Sequence, residues 1–168
     1  MSDGKRYTSP GDSERILFAG IGNLLRSDDG VGVALCRKLM PSEHRQILLA
    51  EMSIENYIGK INRMAPEKLI LVDCVDFGRR PGYWRFLPVE ELKKETTFHT
   101  HHISLKTVSE LFDMPVWVLG IQPRRLEFGE SLSPDVQATT DHLAEMINAS
   151  GGTACFNELS AAICLENQ

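Results

Sequence analysis

Gly20-Ile21-Gly22-Asn23-Leu24-Leu25-Arg26-Ser27-Asp28-Asp29-Gly30-Val31-Gly32 is the stretch that decides the fold. It follows the apolar run Ile16-Leu17-Phe18-Ala19, which reads as a buried strand. It leads into Val31, Leu35 and Leu39, spaced by four with Ala34 beside them, so a helix begins here and stops at Pro41. The stretch is therefore a strand–loop–helix corner. In open α/β sheets, ligands bind where such loops leave the carboxyl ends of the strands. Gly20 and Gly22 let the backbone turn tightly and approach a partner closely.

A dinucleotide-binding turn would need Gly-x-Gly-x-x-Gly, and Leu25 stands where the third glycine belongs. Asp28 and Asp29 also oppose that reading, because a helix start that cradles pyrophosphate would not carry two carboxylates. Carboxylates in this place suit a cation. Capping of the helix accounts for one Asp and leaves the second over.

Outward from the corner, the chain alternates strand and helix. Ile47–Ala50 reads as a second strand, and 55–64 as a helix with Ile54, Ile58 and Ile61 on its apolar side. After Pro66, Leu69-Ile70-Leu71-Val72 is a continuous apolar run of the kind found in buried parallel strands, ended by Asp73. Tyr83–Leu87 reads as a strand on an antiparallel edge, and 88–94 as a short helix. A polar loop over 95–102 precedes a helical face of Leu105, Val108, Leu111 and Phe112. Val116-Trp117-Val118-Leu119 is the last buried strand. Ser133-Pro134-Asp135 predicts a helix start with Ser as cap and Pro in the first turn, and Val136, Thr140, Leu143 and Ile147 line that helix's buried face. This order predicts an α/β domain with a mostly parallel sheet and helices on both faces. We expect a flexible leader over 1–14, one α/β domain over 15–150, and a C-terminal tail over 151–168 with only weak helical character.

The length of 168 residues suits one domain with one substantial core. A net charge of −5 gives little electrostatic help toward nucleic acid. No apolar stretch approaches the ~20 residues that span a bilayer, and the polar N-terminus lacks the apolar centre of a signal peptide. The expectation is a cytoplasmic protein without membrane insertion. The four cysteines, Cys36, Cys74, Cys155 and Cys164, lack Cys-x-x-Cys spacing and read as small apolar residues. There is no Gly-x-Ser-x-Gly nucleophile motif and no His-Glu-x-x-His helix. Cys74 adjoins Asp73 in a strand, so the thiol faces away from the carboxylate and into the core.

Gly20-x-Gly22-Asn23-x-Leu25-x-x-Asp28-Asp29-Gly30-x-Gly32 resembles the opening motif of hydrogenase maturation endopeptidases. Further resemblances follow in register: Leu71-Val72-Asp73-Cys74-Val75-Asp76, Thr100-His101-His102-Ile103-Ser104-Leu105, Leu119-Gly120-Ile121-Gln122-Pro123, and Gly129 through Leu132-Ser133. Together they span Ile16 to Asn148. Asp29 and the Gly-Ile-Gln-Pro run look most like the hydrogenase 3, formate hydrogenlyase type. The resemblance implies a three-layer, phosphorylase/hydrolase-like α/β fold with a twisted five-stranded sheet. It also implies an endopeptidase that removes the C-terminal extension of a nickel–iron hydrogenase large-subunit precursor, acting as a monomer.

Asp29 follows the first strand, Asp73 ends the third, and His101 precedes a helix. Carboxylates at the same end of a parallel sheet can converge. Two oxygens and one imidazole would leave open positions on a divalent transition metal, which is a hydrolytic arrangement. Asp73 capping a turn and His101 as a solvated loop residue are the plainer readings. The resemblance assigns the metal and catalytic roles to Asp29, Asp73 and His101. It implies nickel carried by the substrate, with another divalent ion able to substitute in crystals. His101 is singled out from His99 and His102 because the family's ligand lies four residues before a leucine, here Leu105. Asn23, Asp28, Glu55 and Asp76 are expected at the substrate, and Arg79-Arg80 either grip an extended peptide or are surface charge. The chain departs from the family pattern after the second strand, where Glu51-Met52-Ser53-Ile54-Glu55-Asn56 lacks the usual Gly-Gly pair. A non-enzymatic nickel-binding assembly factor and a nucleotide-binding α/β domain are the competing readings.

Overall fold

The computed structural model describes residues 14–93 and 104–166, the last four of these by backbone alone. Five strands form one sheet in the order β2-β1-β3-β5-β4. They are β1 (Ile16–Ile21), β2 (Arg45–Glu51), β3 (Lys68–Cys74), β4 (Trp84–Pro88) and β5 (Val116–Ile121). β1, β2, β3 and β5 run parallel, and β4 pairs antiparallel with β5 at the edge. Among the described residues five helices accompany them: α1 (Val31–Lys38), α2 (Ile58–Met64), α3 (Leu105–Ser109), α4 (Pro134–Ala149) and α5 (Gly152–Glu166).

The uninterrupted apolar runs of β1 and β3 are explained by burial on both faces. Alternate residues feed two separate cores. Ile16, Phe18, Ile70, Val72 and Cys74 face α1, α4 and α5 through Val31, Leu35, Val136, Leu143, Cys155 and Leu159. Leu17, Ala19, Ile21, Leu69 and Leu71 face the other way, toward Ile54, Ile61, Leu105 and Val108. The result is the expected three-layer α/β sandwich. No helix among the described residues is long and apolar enough to cross a membrane.

Several expectations are corrected. The stretch 151–168 is no weak tail: α5 runs from Gly152 to Glu166. Its Phe156 packs edge-on against Trp117 and Phe86, with ring centroids 4.7 and 5.2 Å away. The domain thus extends well past residue 150. Glu14, placed in the leader, belongs to the folded body, since it pairs with Lys68 and accepts a hydrogen bond from Thr153 Oγ1 at 3.2 Å. The rest of the expected leader lies outside the described residues. The helix expected over 55–64 is a 3₁₀ turn (Ile54–Tyr57) followed by α2, and the one expected over 88–94 is a single 3₁₀ turn at Val89–Glu91. Ser133 occupies the N-cap position of α4 without capping it, because its hydroxyl is drawn elsewhere.

Candidate active site

The strand order reverses between β1 and β3, so the crevice above their carboxyl ends is where an open α/β sheet places its ligand. Two glycines shape its floor. A side chain on Gly32 would lie 2.1 Å from the Val72 carbonyl oxygen and 2.4 Å from that of Ile21, so only glycine lets α1 settle across both strand ends. Gly22 has φ +130°, and a Cβ there would sit 1.8 Å from the Asp29 carbonyl oxygen. The Gly-x-Gly…Gly-x-Gly pattern is therefore a steric requirement of this corner.

Asp29 lies on the 3₁₀ turn Ser27–Gly30 that delivers the chain into α1, three residues ahead of Gly32. It is 7 % exposed, and its Oδ2 accepts the Asn23 N–H at 3.1 Å. No donor among the described residues reaches its Oδ1. Asp73, on β3, stands one residue beyond the Val72 that pairs with Gly20 of β1. It is fully buried, and its Oδ1 accepts the Cys74 N–H at 2.7 Å. The two carboxylates therefore come from adjacent strand ends. Their field reaches the Cys74 thiol, whose pKa is pushed far up, first by burial and then by Asp73, Asp29, Asp28 and Asp76. That thiol is protonated and faces the core, as its place beside Asp73 in the strand predicts.

Asp28 points the opposite way. It is completely buried, and its two oxygens accept four hydrogen bonds. Ser133 N–H reaches Oδ1 at 2.6 Å, and Oδ2 takes Ser133 Oγ at 2.7 Å, Arg124 N–H at 2.9 Å and Arg125 N–H at 3.1 Å. The geometry goes against the expectation that Asp28 touches substrate. Neither Asp caps α1, whose N-cap is Gly30 with no side-chain bond. Asp28 instead clasps the β5–α4 loop to the glycine loop. Backbone pairing completes the clasp: Ser27 N–H to Gly129 O at 2.7 Å and Gly129 N–H to Leu25 O at 3.0 Å.

A family model described as hydrogenase maturation protease matches residues 31–150. The chain belongs to the hydrogenase maturation protease family. It is similar to the hydrogenase 3 maturation protease of Escherichia coli K12, with 23 % identity over 145 residues, covering 83 % of this chain and 93 % of that one. The crystal structure of the NiFe hydrogenase maturation protease HycI from Thermococcus kodakarensis superposes with a TM-score of 0.71 at 28 % identity, covering 83 % of this chain and 93 % of that one. The solution structure of the endopeptidase HycI from E. coli shares the fold, with a TM-score of 0.72 at 24 % identity and coverage of 80 % and 90 %.

Of the other residues expected at the site, Asn23, Glu55 and Asp76 follow β1, β2 and β3 at the same end of the sheet. Asn23 is half-buried, and its Oδ1 accepts the Leu25 N–H at 2.9 Å, so that oxygen stiffens the glycine loop. Glu55 is half-buried on the 3₁₀ turn that follows β2. Asp76 follows β3, so Glu55 and Asp76 come off strands on opposite sides of β1. Arg79 and Arg80 are exposed, with the Arg79 guanidinium 5.7 Å from the Tyr83 ring centre. His99, His101 and His102 lie outside the described residues. Among the described residues, no three His, Cys, Asp or Glu side chains are gathered closely enough to hold a metal ion. Two residues escaped sequence reasoning as individuals. In the sequence Ser133 reads as a cap, and Gln122 only as part of a motif. Gln122 is 7 % exposed, and its side chain holds the turn after β3.

Proposed function

We propose that this protease removes the C-terminal extension from the large-subunit precursor of a nickel–iron hydrogenase, and that it recognises precursor already loaded with nickel. The observation that carries the reading is the delivery of Asp29 and Asp73 to the carboxyl ends of adjacent parallel strands at the point where strand order reverses. Asp29 offers an Oδ1 that no described donor engages, in a loop fixed from behind by Asp28. Carboxylate oxygens with one imidazole form an N,O donor set that nickel accepts. His101 is the residue assigned to supply the imidazole. Nickel in the precursor would polarise the scissile carbonyl and lower the pKa of a bound water.

In this reading the chain's own residues do three things. Asp29 and Asp73 engage the ion that the precursor brings, so selection and cutting depend on one contact. The Asn23 N–H fixes Asp29 Oδ2 and leaves the other oxygen to face the crevice. The half-buried Glu55 and Asp76 supply acceptors for an extended peptide on either side.

The test uses nickel-loaded precursor and intact-mass detection of the released peptide. Wild-type protein and His99→Ala should cut, whereas Asp29→Ala and His101→Ala should not. His101→Ala cutting at the wild-type rate would remove that residue from the site. Tight stoichiometric nickel binding by the protein alone, without release of a peptide, would favour an assembly factor.

A further inference from the structure

Gln122 is buried at the end of β5, beside the turn that carries Asp76. Its main chain is fixed on both sides: its N–H donates to Tyr83 O at 2.7 Å, and its carbonyl accepts the Gly82 N–H at 2.9 Å. Its Oε1 accepts the Phe77 N–H at 2.7 Å and the Arg79 N–H at 3.3 Å. Two backbone donors at one end of the amide require oxygen there, so the NH₂ end must face the other way. That end donates to Asp76 Oδ1 at 3.1 Å. The same oxygen accepts the Gly78 N–H at 2.9 Å. No donor among the described residues reaches Asp76 Oδ2. One carboxylate oxygen is held by two donors, and the other is left for something outside.

From this geometry we infer that Gln122 is a positioning residue, which holds Asp76 as a pre-oriented acceptor for an N–H of the precursor chain at the rim of the crevice. The inference rests on the proposal that this edge of the sheet receives the precursor. A carboxylate held on one oxygen loses little freedom when its second oxygen binds, which favours recognition in the ground state. A free amide would orient nothing. The reversed polarity of a glutamate at this position would push Asp76 away. The charged residues flanking Asp76 along the chain are Asp73 at the end of β3 and Arg79 and Arg80 in the following turn.

Gln122→Glu is the informative change. A carboxyl there still accepts the Phe77 and Arg79 N–H groups, so the turn is retained. At neutral pH it presents a second negative charge to Asp76. On protonation it gains an O–H that can donate to Asp76 Oδ1. Steady-state cleavage of nickel-loaded precursor should show KM raised about tenfold at about pH 7.5, with kcat within about threefold of wild type. The ratio of variant to wild-type KM should fall as the pH is lowered from about 7.5 to about 5, because burial and the neighbouring Asp76 carboxylate both raise the introduced carboxyl's affinity for a proton. A merely structural role would give a ratio that does not move with pH, and that result would overturn the inference. If Gln122→Glu melts early, Asp76→Asn replaces it. This variant keeps an oxygen for Gly78 and Gln122 but puts a donor where the free acceptor stood. Its KM should rise about tenfold at every pH, and an unchanged KM would overturn the inference. Asp29→Ala in the same assay separates the two levels: loss of cleavage there, with wild-type KM in Asp76→Asn, refutes the Gln122 role alone.

Discussion

Asp28 accepts hydrogen bonds from Ser133 twice and from the backbone of Arg124 and Arg125, whereas Asp29 accepts one, from Asn23. Both oxygens of Asp28 face donors, so an asparagine in its place must set an NH₂ against an N–H or O–H in either orientation. Asp28→Asn should therefore cost about 3 kcal/mol of stability, read as a lowered urea midpoint. Asp29→Ala should melt within about 1 kcal/mol of wild type while failing to process precursor. An Asp28→Asn protein as stable as wild type would contradict the clasp. The sequence showed that two adjacent carboxylates were more than capping needs. It could not show where Asp28 points, because its partners lie around a hundred residues away and only the folded chain brings them near. Ser133 departs from its local pattern for the same reason: the sequence of a cap is present, but the hydroxyl finds a stronger, charged acceptor.

At the scale of elements, β1, β3 and β5 were legible because burial on both faces demands unbroken apolar runs, and α4 because Val136, Leu143 and Ile147 repeat at helical spacing. α5 was not legible. Among its described side chains, Cys155, Phe156, Leu159 and Ala162 pack on the core, and the intervening residues give its sequence no strong helical periodicity. What holds it is aromatic contact with Trp117 and Phe86, which themselves stack at 4.9 Å. Phe156→Ala should destabilise the protein by about 2–4 kcal/mol and leave Trp117 more accessible to a fluorescence quencher. Unchanged stability and quenching would show α5 to be an appendage. A second tie is Arg45 at the start of β2, whose guanidinium donates to the carbonyls of Ile147 and Ser150 at the end of α4. Burial lowers its pKa from the ordinary arginine value, yet it is bonded on every side that the helix end offers.

For the whole molecule, one of the two cores, the one facing α1, α4 and α5, buries the thiols of Cys36, Cys74 and Cys155, which the fold must keep protonated. Burial pushes Cys36 far above the ordinary thiol range, and Cys155 up to about 11 despite the opposing influence of Arg45. The unfolded chain releases such protons near pH 8.5, so above that pH the unfolded state binds fewer protons than the folded one. Stability is complete below about pH 8.5 and declines as pH rises beyond it, by about 1.4 kcal/mol per unit for each buried thiol. Urea melts of wild type and Cys36→Ala across about pH 7.5 to 9.5 should show the variant losing less stability with pH, by about 1 kcal/mol per unit. Equal slopes would contradict the burial argument. At this scale the alternation of strands and helices foretold three layers, and the parallel order of β1 and β3 puts Asp29 and Asp73 at neighbouring strand ends.

The proposed function requires that the precursor bring its own nickel. Its most direct test is the intact mass of the large-subunit precursor after incubation with wild-type protein, once loaded with nickel and once rigorously freed of metal. Loss of a C-terminal peptide from the loaded precursor, with no change in the metal-free one, is the expected result. Cleavage of the metal-free precursor at the same rate would contradict it.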